Sequence, residues 1–353
     1  MTTQDQLIEM LRTGGKPSEL YETWDGSRLL LLPHGARVLG LFAPNSQENF
    51  YWTNPALSAG PRDFFLRELG RNTGGDRTWL APEIDIHFPR FPDLITYKVP
   101  REIDPGRYEI VGSGDSFEFV NRIGLRLFRS AQTTEVEIRK SWNASPNPLR
   151  YDEIWSRTGE VEYAGYSQRT RLKLLDRQPS ESGPVGAWNL LQLPHGGTAF
   201  FPLHSNVRHT TYFGTIPECD LELKDRAIQY KLRSTGIQKI GISAAASTGR
   251  AGYVYSSEGQ SVLVIRNVFV NPAAEYIDVP WTNAGELGRR GSAFQACNVN
   301  NELGSFSELE YHAPGIGRGT GLVEYEDESQ IWAFRGPGEL IRVIAQSLLS
   351  PAC

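Results

Sequence analysis

The chain has 353 residues and an ordinary globular composition, with 39% hydrophobic and 22% charged residues and a formal net charge of −5 at pH 7. The acidic balance and the lack of a Lys/Arg block argue against a nucleic-acid partner, and no apolar run is long enough to predict a membrane span. The first five residues contain neither a basic segment nor the start of an apolar run. We therefore predict no secretion signal and expect a cytoplasmic protein.

The three cysteines, Cys219, Cys297 and Cys353, are far apart in the sequence and odd in number. This distribution fits neither a disulfide framework nor the spacing of zinc ligands. We therefore expect no disulfide and no bound metal or other cofactor. The sequence makes no prediction about the oligomeric state.

Helices are expected only near the two ends of the chain. Residues 5–12 and 339–349 carry apolar side chains at helical spacing, and glycine or proline bounds each run. Between them, 35 glycines and 22 prolines in the chain interrupt the sequence too often for long helices. Strands are predicted for the β-rich runs 28–32, 37–42, 94–99, 107–111, 116–121, 134–141, 160–176, 199–203, 227–232, 261–270 and 322–327.

These elements predict an all-β fold class. Strands and helices do not alternate along the chain, which argues against a parallel α/β sheet. We predict a single domain over residues 1–353 that consists of a large antiparallel β-sandwich over 21–335, a helical N-terminal extension over 1–20 and a C-terminal helix over 336–353.

The first run that indicates a binding surface is 74–89, GGDRTWLAPEIDIHFP. In an extended conformation Arg77 and Trp79 share a face. A guanidinium beside an indole ring suits a sugar, because it offers donors for hydroxyls next to a flat apolar surface. Asp76 and Glu83 add carboxylates close by, and the two leading glycines allow the backbone to turn sharply before them.

Beyond Pro82, we expect Glu83, Asp85 and His87 to alternate with apolar residues along a strand and to form a second face of two carboxylates and a histidine. The alternative is an ordinary half-buried strand whose polar side is solvated. A divalent-metal site that joins Glu83 and Asp85 to Glu308 and Glu310 is geometrically conceivable, although nothing in the spacing requires it.

The run 186–197, GAWNLLQLPHGG, predicts a strand that ends in a turn. Trp188 and Gln192 share one face of this strand. His195 is followed by two glycines, so we expect it on a rim, where it is either a proton donor with a pKa near neutrality or an exposed turn residue. His209, farther along the chain, is either a ligand contact or a surface residue.

The run 305–315 places Phe306, Glu308, Glu310 and His312 on one face of a predicted strand. On a covered face these carboxylates need partners, and in a cleft they form an acid/base cluster. The alternative is a solvated strand face. If the face is covered, burial and like-charge repulsion should raise the pKa of one glutamate, while Arg77 holds the other.

Five segments, in this order, resemble the galactose-mutarotase-like superfamily, in particular a bacterial branch of it. They are 35–41 (GARVLGL), 51–55 (YWTNP), 75–83 (GDRTWLAPE), 188–192 (WNLLQ) and 306–314 (FSELEYHAP). The resemblance implies a β-supersandwich with a carbohydrate cleft on its concave face. It also implies aldose 1-epimerisation, in which a histidine is the general acid and a glutamate is the general base.

The chain departs from the motifs of that superfamily at both catalytic positions. The run 189–193, NLLQL, lacks the histidine of the usual acid motif, and His195 lies just past its end. The run 317–321, GRGTG, lacks the carboxylate of the usual base motif. The expected catalytic residues are therefore His195 as the acid and Glu308 or Glu310 as the base.

Three functions remain open at this point: a sugar epimerase in which Glu310 or Glu308 faces His195, a glycoside-cleaving enzyme (hydrolase or lyase) with paired carboxylates, and a non-catalytic carbohydrate-binding protein with aromatic platforms. Each takes a small sugar or oligosaccharide as its partner. The expected substrate-binding residues are Asp76, Arg77, Trp79, Glu83, Trp188, Gln192, His209 and His312.

Overall fold

The computed structural model describes residues 2–67, 72–113, 116–156, 159–178, 181–281, 291–350 and 353. Within these ranges the strands form two large sheets, one of nine and one of ten strands. Neighbouring strands pair in the antiparallel direction in both sheets. The predicted all-β antiparallel sandwich is therefore confirmed.

The first sheet is called here the site sheet. With strands numbered in chain order, it has the spatial order β1 (Glu19–Glu22), β2 (Arg28–Leu32), β3 (Arg37–Phe42), β4 (Asp76–Ala81), β9 (Gly186–Pro194), β18 (Gly304–His312), β17 (Ser292–Asn301), β14 (Gly236–Ser243) and β11 (Thr210–Phe213).

The second sheet is called the back sheet. Its spatial order is β12 (Leu221–Lys224), β13 (Ala227–Lys231), β10 (Thr198–Pro202), β15 (Arg250–Ser257), β16 (Gln260–Val268), β19 (Glu324–Gly336), β8 (Glu162–Leu174), β7 (Gln132–Ala144), β6 (Ser116–Leu127) and β5 (Glu109–Ser113).

Short helices cover the outer faces of the two sheets. Both predicted terminal helices are present, and a capping box between Thr3 and Gln6 starts the first of them. No helix in the described ranges is long and apolar enough to cross a bilayer. The α-helices are α1 (Gln4–Thr13), α2 (Ala56–Ala59), α3 (Pro61–Leu66), α4 (Glu83–Ile86), α5 (Glu153–Ser156) and α6 (Gly338–Leu348).

The main hydrophobic core lies between the sheets. Leu309 and Tyr311 of β18 are buried in it, together with Val264 and Ala333 of the back sheet. Because side chains alternate along a strand, the residues of β18 that lie between and beside Leu309 and Tyr311 point to the opposite face of the site sheet. This opposite face, called the site face, carries Glu308, Glu310 and His312 as predicted.

Two predicted strand segments are wrong. Residues 94–99 contain a single 3₁₀ turn, Leu94–Thr96, which Asp93 caps through the amide of Ile95. The segment after Pro82 forms the helical turn α4, so Glu83, Asp85 and His87 do not alternate on a strand. The physical reason is that the ladder between β4 and β9 ends at Ala81, so the backbone beyond it satisfies its amides within a helical turn.

Candidate functional site

Three adjacent strands bring the predicted residues together on the site face. Arg77 of β4 lies opposite Leu190 of β9, and Gln192 of β9 lies opposite Glu308 of β18. Arg77 Nη2 and Gln192 Nε2 both donate to Glu308 Oε1, each at 3.1 Å. The predicted contact between Arg77 and one of the two glutamates is thus present.

Glu310 lies at the centre of the site face and is fully buried. Its Oε2 accepts the indole N–H of Trp188 at 2.6 Å and lies 2.9 Å from Lys239 Nζ. Burial raises the pKa of Glu310 to about 7, and the charge of Glu308 adds to this while Lys239 opposes it. The other oxygen, Oε1, is buried and has no hydrogen-bond partner among the described residues.

Glu83 reaches the same lysine from α4. Its Oε2 lies 3.9 Å from Lys239 Nζ and accepts the indole N–H of Trp281 at 3.2 Å. Burial raises the pKa of Glu83 to about 7 as well, with a further contribution from Asp278 and opposition from Lys239. Burial alone would lower the pKa of Lys239, but the carboxylates around it raise that pKa well above its usual value.

Glu83 and Glu310 therefore share one ammonium group and titrate in the same pH range. Two such carboxyls behave as a coupled pair, whose macroscopic titration steps belong to the pair. Near neutral pH this arrangement favours one protonated and one charged member. A carboxylic acid can donate a proton and a carboxylate can accept one, so the pair provides both groups that general acid–base catalysis requires.

Asp278 and His312 complete the buried polar cluster. Asp278 accepts the backbone N–H of Glu83 at 2.9 Å and the side-chain amide of Gln295 at 2.8 Å. The His312 ring stacks on Trp188 with a centroid distance of 5.6 Å, and its Nε2 lies 3.8 Å from Asp278. Burial lowers the pKa of His312 to about 4, so this histidine is neutral at pH 7.

The two tryptophans of the site are packing residues in this structure. The guanidinium of Arg77 lies 4.2 Å from the ring centroid of Trp79, whose indole N–H donates to Asp104 at 2.9 Å. The Trp188 ring contacts His312 and also Lys239, whose Nζ is 4.3 Å from its centroid. Neither ring is offered to solvent as the flat platform that the sequence predicted.

Two predicted site residues lie on the other face of the site sheet. Asp76 points between the sheets, where it forms an ion pair with Arg266 at 2.7 Å. His195 Nε2 lies 2.9 Å from the side chain of Asn298. Asn298 follows Cys297 on β17, and Cys297 lies beside Glu308 and Glu310 on the site face. Because side chains alternate along a strand, Asn298 and its contact His195 lie on the other face. The predicted juxtaposition of His195 and Glu310 in one cleft is therefore wrong.

Asp85 and His209 are also placed elsewhere. Asp85 turns away from Glu83 and accepts the backbone N–H of Arg129 at 2.6 Å. His209 precedes the edge strand β11 and is half-buried, and no bond joins it to the carboxylates in the described part of the chain. The four-carboxylate metal site that was conceivable from the sequence is thus not assembled, because Asp85 is missing from it.

Cys297, Glu308 and Glu310 form a different group, whose possible ligand atoms lie within 4.8 Å of one another. Arg77 and Lys239 already contact the two carboxylates, and burial raises the pKa of the Cys297 thiol. A divalent cation would have to displace two positive charges and deprotonate a buried thiol. The surrounding charges therefore favour proton transfer over metal binding here.

The sequence interpretation missed Lys239, Asp278 and Trp281. The available signal for Lys239 was a single cation within the β-rich run 236–243, GIQKIGIS. Asp278 and Trp281 lie outside any strand, in a connection that only tertiary packing brings over the site face. Trp79 and Glu308 are each 8% exposed, and Trp281 is half-buried.

The raised pKa of Glu310 predicts a specific pH dependence of stability. Between about pH 4.5 and 7 the folded chain holds a proton on Glu310 that the unfolded chain releases, so the free energy of unfolding should fall as the pH rises. Glutamine cannot titrate. We expect the Glu310→Gln variant to lose less stability than the wild type across this range, by up to a few kcal/mol, in urea denaturation at pH 5, 6 and 7.

The control for this measurement is Glu302→Gln, because Glu302 is exposed. Its slope of unfolding free energy against pH should match that of the wild type. Equal slopes for the wild type and Glu310→Gln would show that Glu310 does not titrate in this range.

The sequence model of a family of unknown function, DUF6786, matches residues 7–351. No curated protein matches the chain. Among solved structures, the chain is similar to the GalM/aldose epimerase homologue from C. elegans, with 9% identity, a TM-score of 0.41, and coverage of 92% of this chain and 100% of that one.

The chain is also similar to the protein HI1317, with 7% identity, a TM-score of 0.43, and coverage of 90% of this chain and 92% of that one. A third similar structure is a 4-alpha-glucanotransferase from Thermococcus litoralis, with 9% identity, a TM-score of 0.33, and coverage of 91% of this chain and 40% of that one. Because these three TM-scores lie below 0.5, the likenesses carry no argument about the activity of this chain.

Proposed function

Because this chain belongs to DUF6786, a family of unknown function, we propose a function from the geometry of its own site: acid–base catalysis on a sugar, of the aldose 1-epimerase type. The observation that carries the proposal is the buried group Glu83, Lys239 and Glu310. Its two carboxyls have pKa values of about 7, and one oxygen of Glu310 has no hydrogen-bond partner among the described residues. The sequence resemblance to galactose-mutarotase-like proteins supports a sugar as the substrate.

In the proposed reaction, Glu310 takes the proton of the anomeric hydroxyl through its unpartnered oxygen. Glu83, in its protonated form, gives a proton to the ring oxygen, and the bond between C1 and the ring oxygen breaks. Rotation about the C1–C2 bond then presents the other face of the aldehyde. Closure of the ring returns both protons and leaves the enzyme unchanged.

Glu83 takes the role of acid that the sequence assigned to His195. His195 is on the opposite face of the site sheet, and His312 on the site face is neutral because burial lowers its pKa to about 4. Lys239 supports the exchange of roles, since it is 2.9 Å from Glu310 and 3.9 Å from Glu83. It stabilises whichever of the two carboxyls is charged.

Substrate recognition is proposed for the neighbouring group of Arg77, Gln192 and Glu308. This group meets solvent, because 8% of Glu308 and 5% of Arg77 are exposed. A guanidinium, an amide and a carboxylate together offer donors and acceptors for several hydroxyls.

Cleavage of a glycosidic bond is the second candidate function. It is favoured by one observation, that carboxylate oxygens of Glu308 and Glu310 lie within 4.8 Å of each other. Retaining glycosidases need two carboxyl groups about 5–5.5 Å apart on either side of the bond. The contact of Glu308 with Arg77 and Gln192 makes it a weaker candidate for a nucleophile than Glu310.

The test is proton NMR with a panel of free aldohexoses, uronic acids and sugar phosphates, followed by nitrophenyl glycosides. We expect at least one free sugar to show exchange between its α and β anomeric protons faster than in buffer, with no release of nitrophenol. Release of nitrophenol would replace the proposal with the second candidate. Binding without exchange would indicate a binding protein, and no interaction with any sugar would overturn a carbohydrate function.

A further inference from the structure

A groove of about 460 Å³ lies along the edge of strand β6 in the back sheet. It is called here the edge groove. Arg101, Glu102 and Arg107, which precede β5, form one of its walls, and residues 121–124 of β6 form the other. The carboxylates of the site face do not line it, so this groove is separate from the proposed reaction.

The second wall is a length of β6 that has a strand on one side only. β5 pairs with β6 no farther than Glu109 opposite Val120, whereas β7 pairs with β6 as far as Leu127. Beyond Val120, the chain that precedes β5 leaves the edge of β6, and the side-chain amide of Asn121 donates to the carbonyl of Glu102 at 2.9 Å. In the described ranges, the stretch 121–127 therefore lies at an open edge of the sheet.

The backbone N–H and C=O of Gly124 point toward the edge groove. Gly124 lies opposite Glu135 of β7, whose N–H donates to Asp176 at 3.0 Å and whose C=O accepts from Leu175 at 2.8 Å, both on the side of β8. Opposite residues in an antiparallel ladder either bond each other through both groups or turn both groups away. Because Glu135 turns away from β6, Gly124 turns away from β7.

Arg122 and Arg126 point their backbone groups the same way, because the direction alternates along a strand. Phe128, the next residue in this series, donates its N–H to the carbonyl of Asp85 at 2.9 Å on that side. The backbone of Arg122, Gly124 and Arg126 has no such partner among the described residues. Gly124 is exposed, and its exposed surface is backbone because glycine has no side chain, so a ligand in the groove reaches these peptide groups.

The walls of the edge groove are basic. Arg101, Arg107 and Arg122 are all exposed on them, together with a single carboxylate from Glu102. Arg122 is paired through Nε with Glu137 at 2.7 Å, whereas Arg107 forms no ion pair with any described residue. The excess of positive charge favours an anionic ligand.

An open strand edge beside basic side chains fits an extended peptide better than a small anion, which would leave the peptide groups of β6 unused. A peptide that adds to a sheet edge forms main-chain bonds, and a glycine in the edge strand allows close approach. Its alternate side chains would stand beside Arg122 and Arg126 on the outer face, where carboxylates match them. We propose that the edge groove binds an extended acidic segment of a partner protein, which adds to β6 in line with β5.

The test is fluorescence polarisation with labelled heptapeptides and the full chain. Three acidic peptides alternate glutamate with threonine, valine or leucine, and a fourth peptide alternates lysine with threonine. A fifth is the glutamate–threonine peptide with proline at its centre. We expect at least one acidic peptide to bind, the lysine peptide not to bind, and the proline peptide to bind about tenfold or more weakly, because proline lacks the N–H.

Gly124→Pro tests the backbone contact, since it removes an N–H that points into the groove and leaves the ladder with β7 intact. A Cβ atom at this position would come no closer than 4.0 Å to Thr133, so the site has room for the ring. We expect about tenfold or more weaker binding. Gly124→Ala is the matched control, because it keeps the N–H, and it should bind like the wild type.

Arg107→Glu tests the charge contact and should weaken binding of the acidic peptide about five- to tenfold. Its matched control is Arg67→Glu, since Arg67 is exposed at the end of α3 and does not line the groove. This control should bind like the wild type.

The proposal is overturned if no acidic peptide binds or if the lysine peptide binds as tightly. It is also overturned if Gly124→Pro binds no more weakly than Gly124→Ala, or if Arg107→Glu binds like Arg67→Glu. Complete displacement of the peptide by inorganic phosphate, but not by chloride at equal ionic strength, would show a small-anion site instead. Failure of the epimerase proposal leaves these outcomes unaffected, since none of them depends on sugar turnover.

Discussion

Replacing Glu310 with glutamine is expected to reduce sugar turnover about 10²–10⁴-fold, the usual contribution of a positioned general base. Trp188 and Lys239 donate to Oε2 of Glu310, and the amide oxygen of glutamine can accept the same bonds. The amide nitrogen then occupies the position of the unpartnered oxygen and cannot accept a proton. A loss of this size corresponds to about 3–5 kcal/mol of transition-state stabilisation.

The measurement is anomer exchange by NMR on the best substrate, with affinity by calorimetry on the same samples. Affinity should change little, because the shape of the side chain is kept. Glu308→Gln is the matched variant two residues along the same strand face, and we expect it to weaken affinity more than turnover, since Glu308 contacts Arg77 and Gln192. Full turnover in Glu310→Gln, with loss in Glu308→Gln, would show that the two roles are reversed.

Replacing Asp76 with alanine is expected to lower the free energy of unfolding by about 3–5 kcal/mol, the cost of breaking a buried ion pair. Asp76 and Arg266 are fully buried between the sheets, 2.7 Å apart, and Tyr166 donates its hydroxyl to the second carboxylate oxygen at 2.7 Å. The variant leaves a guanidinium in the core without this partner. Arginine cannot release its proton to relieve that cost.

Urea denaturation of the single variant and of the double variant Asp76→Leu/Arg266→Met tests this expectation. A buried pair replaced by apolar side chains of similar size usually costs little, so the double variant should recover most of the loss. Sugar affinity, measured where the single variant is still folded, should match the wild type. Weaker affinity in a folded Asp76→Ala variant would restore the substrate-binding role that the sequence assigned to Asp76.

The spacing of apolar residues in the sequence was sufficient to predict much of the fold. Both strands predicted at 28–32 and 37–42 have these bounds in the structure, and both terminal helices are present. Apolar residues at period 2 or at helical spacing dictate these elements locally, because each element must bury one face. The same periodicity correctly placed Glu308, Glu310 and His312 on one face, opposite Leu309 and Tyr311.

The failures occur where a neighbouring element overrides the local pattern. The alternation at 83–88 indicated a strand, but the ladder between β4 and β9 ends at Ala81, no strand in the described ranges pairs with this segment, and it closes a helical turn instead. His195 looked suited to the acid role because it follows the strand of Trp188 and Gln192. Only its contact with Asn298 shows that it belongs to the other face of the sheet.

The sequence by itself determined the all-β class, the terminal helices and the strand face that carries Glu308 and Glu310, because these depend on the spacing of apolar residues along one segment. Only the tertiary structure decided that Lys239 lies between Glu83 and Glu310 and that Asp76 is a core residue. Those facts depend on which strands are neighbours and which connection crosses the site face. The pKa values of the carboxyls follow from that packing, since burial and nearby charges are properties of the assembled fold.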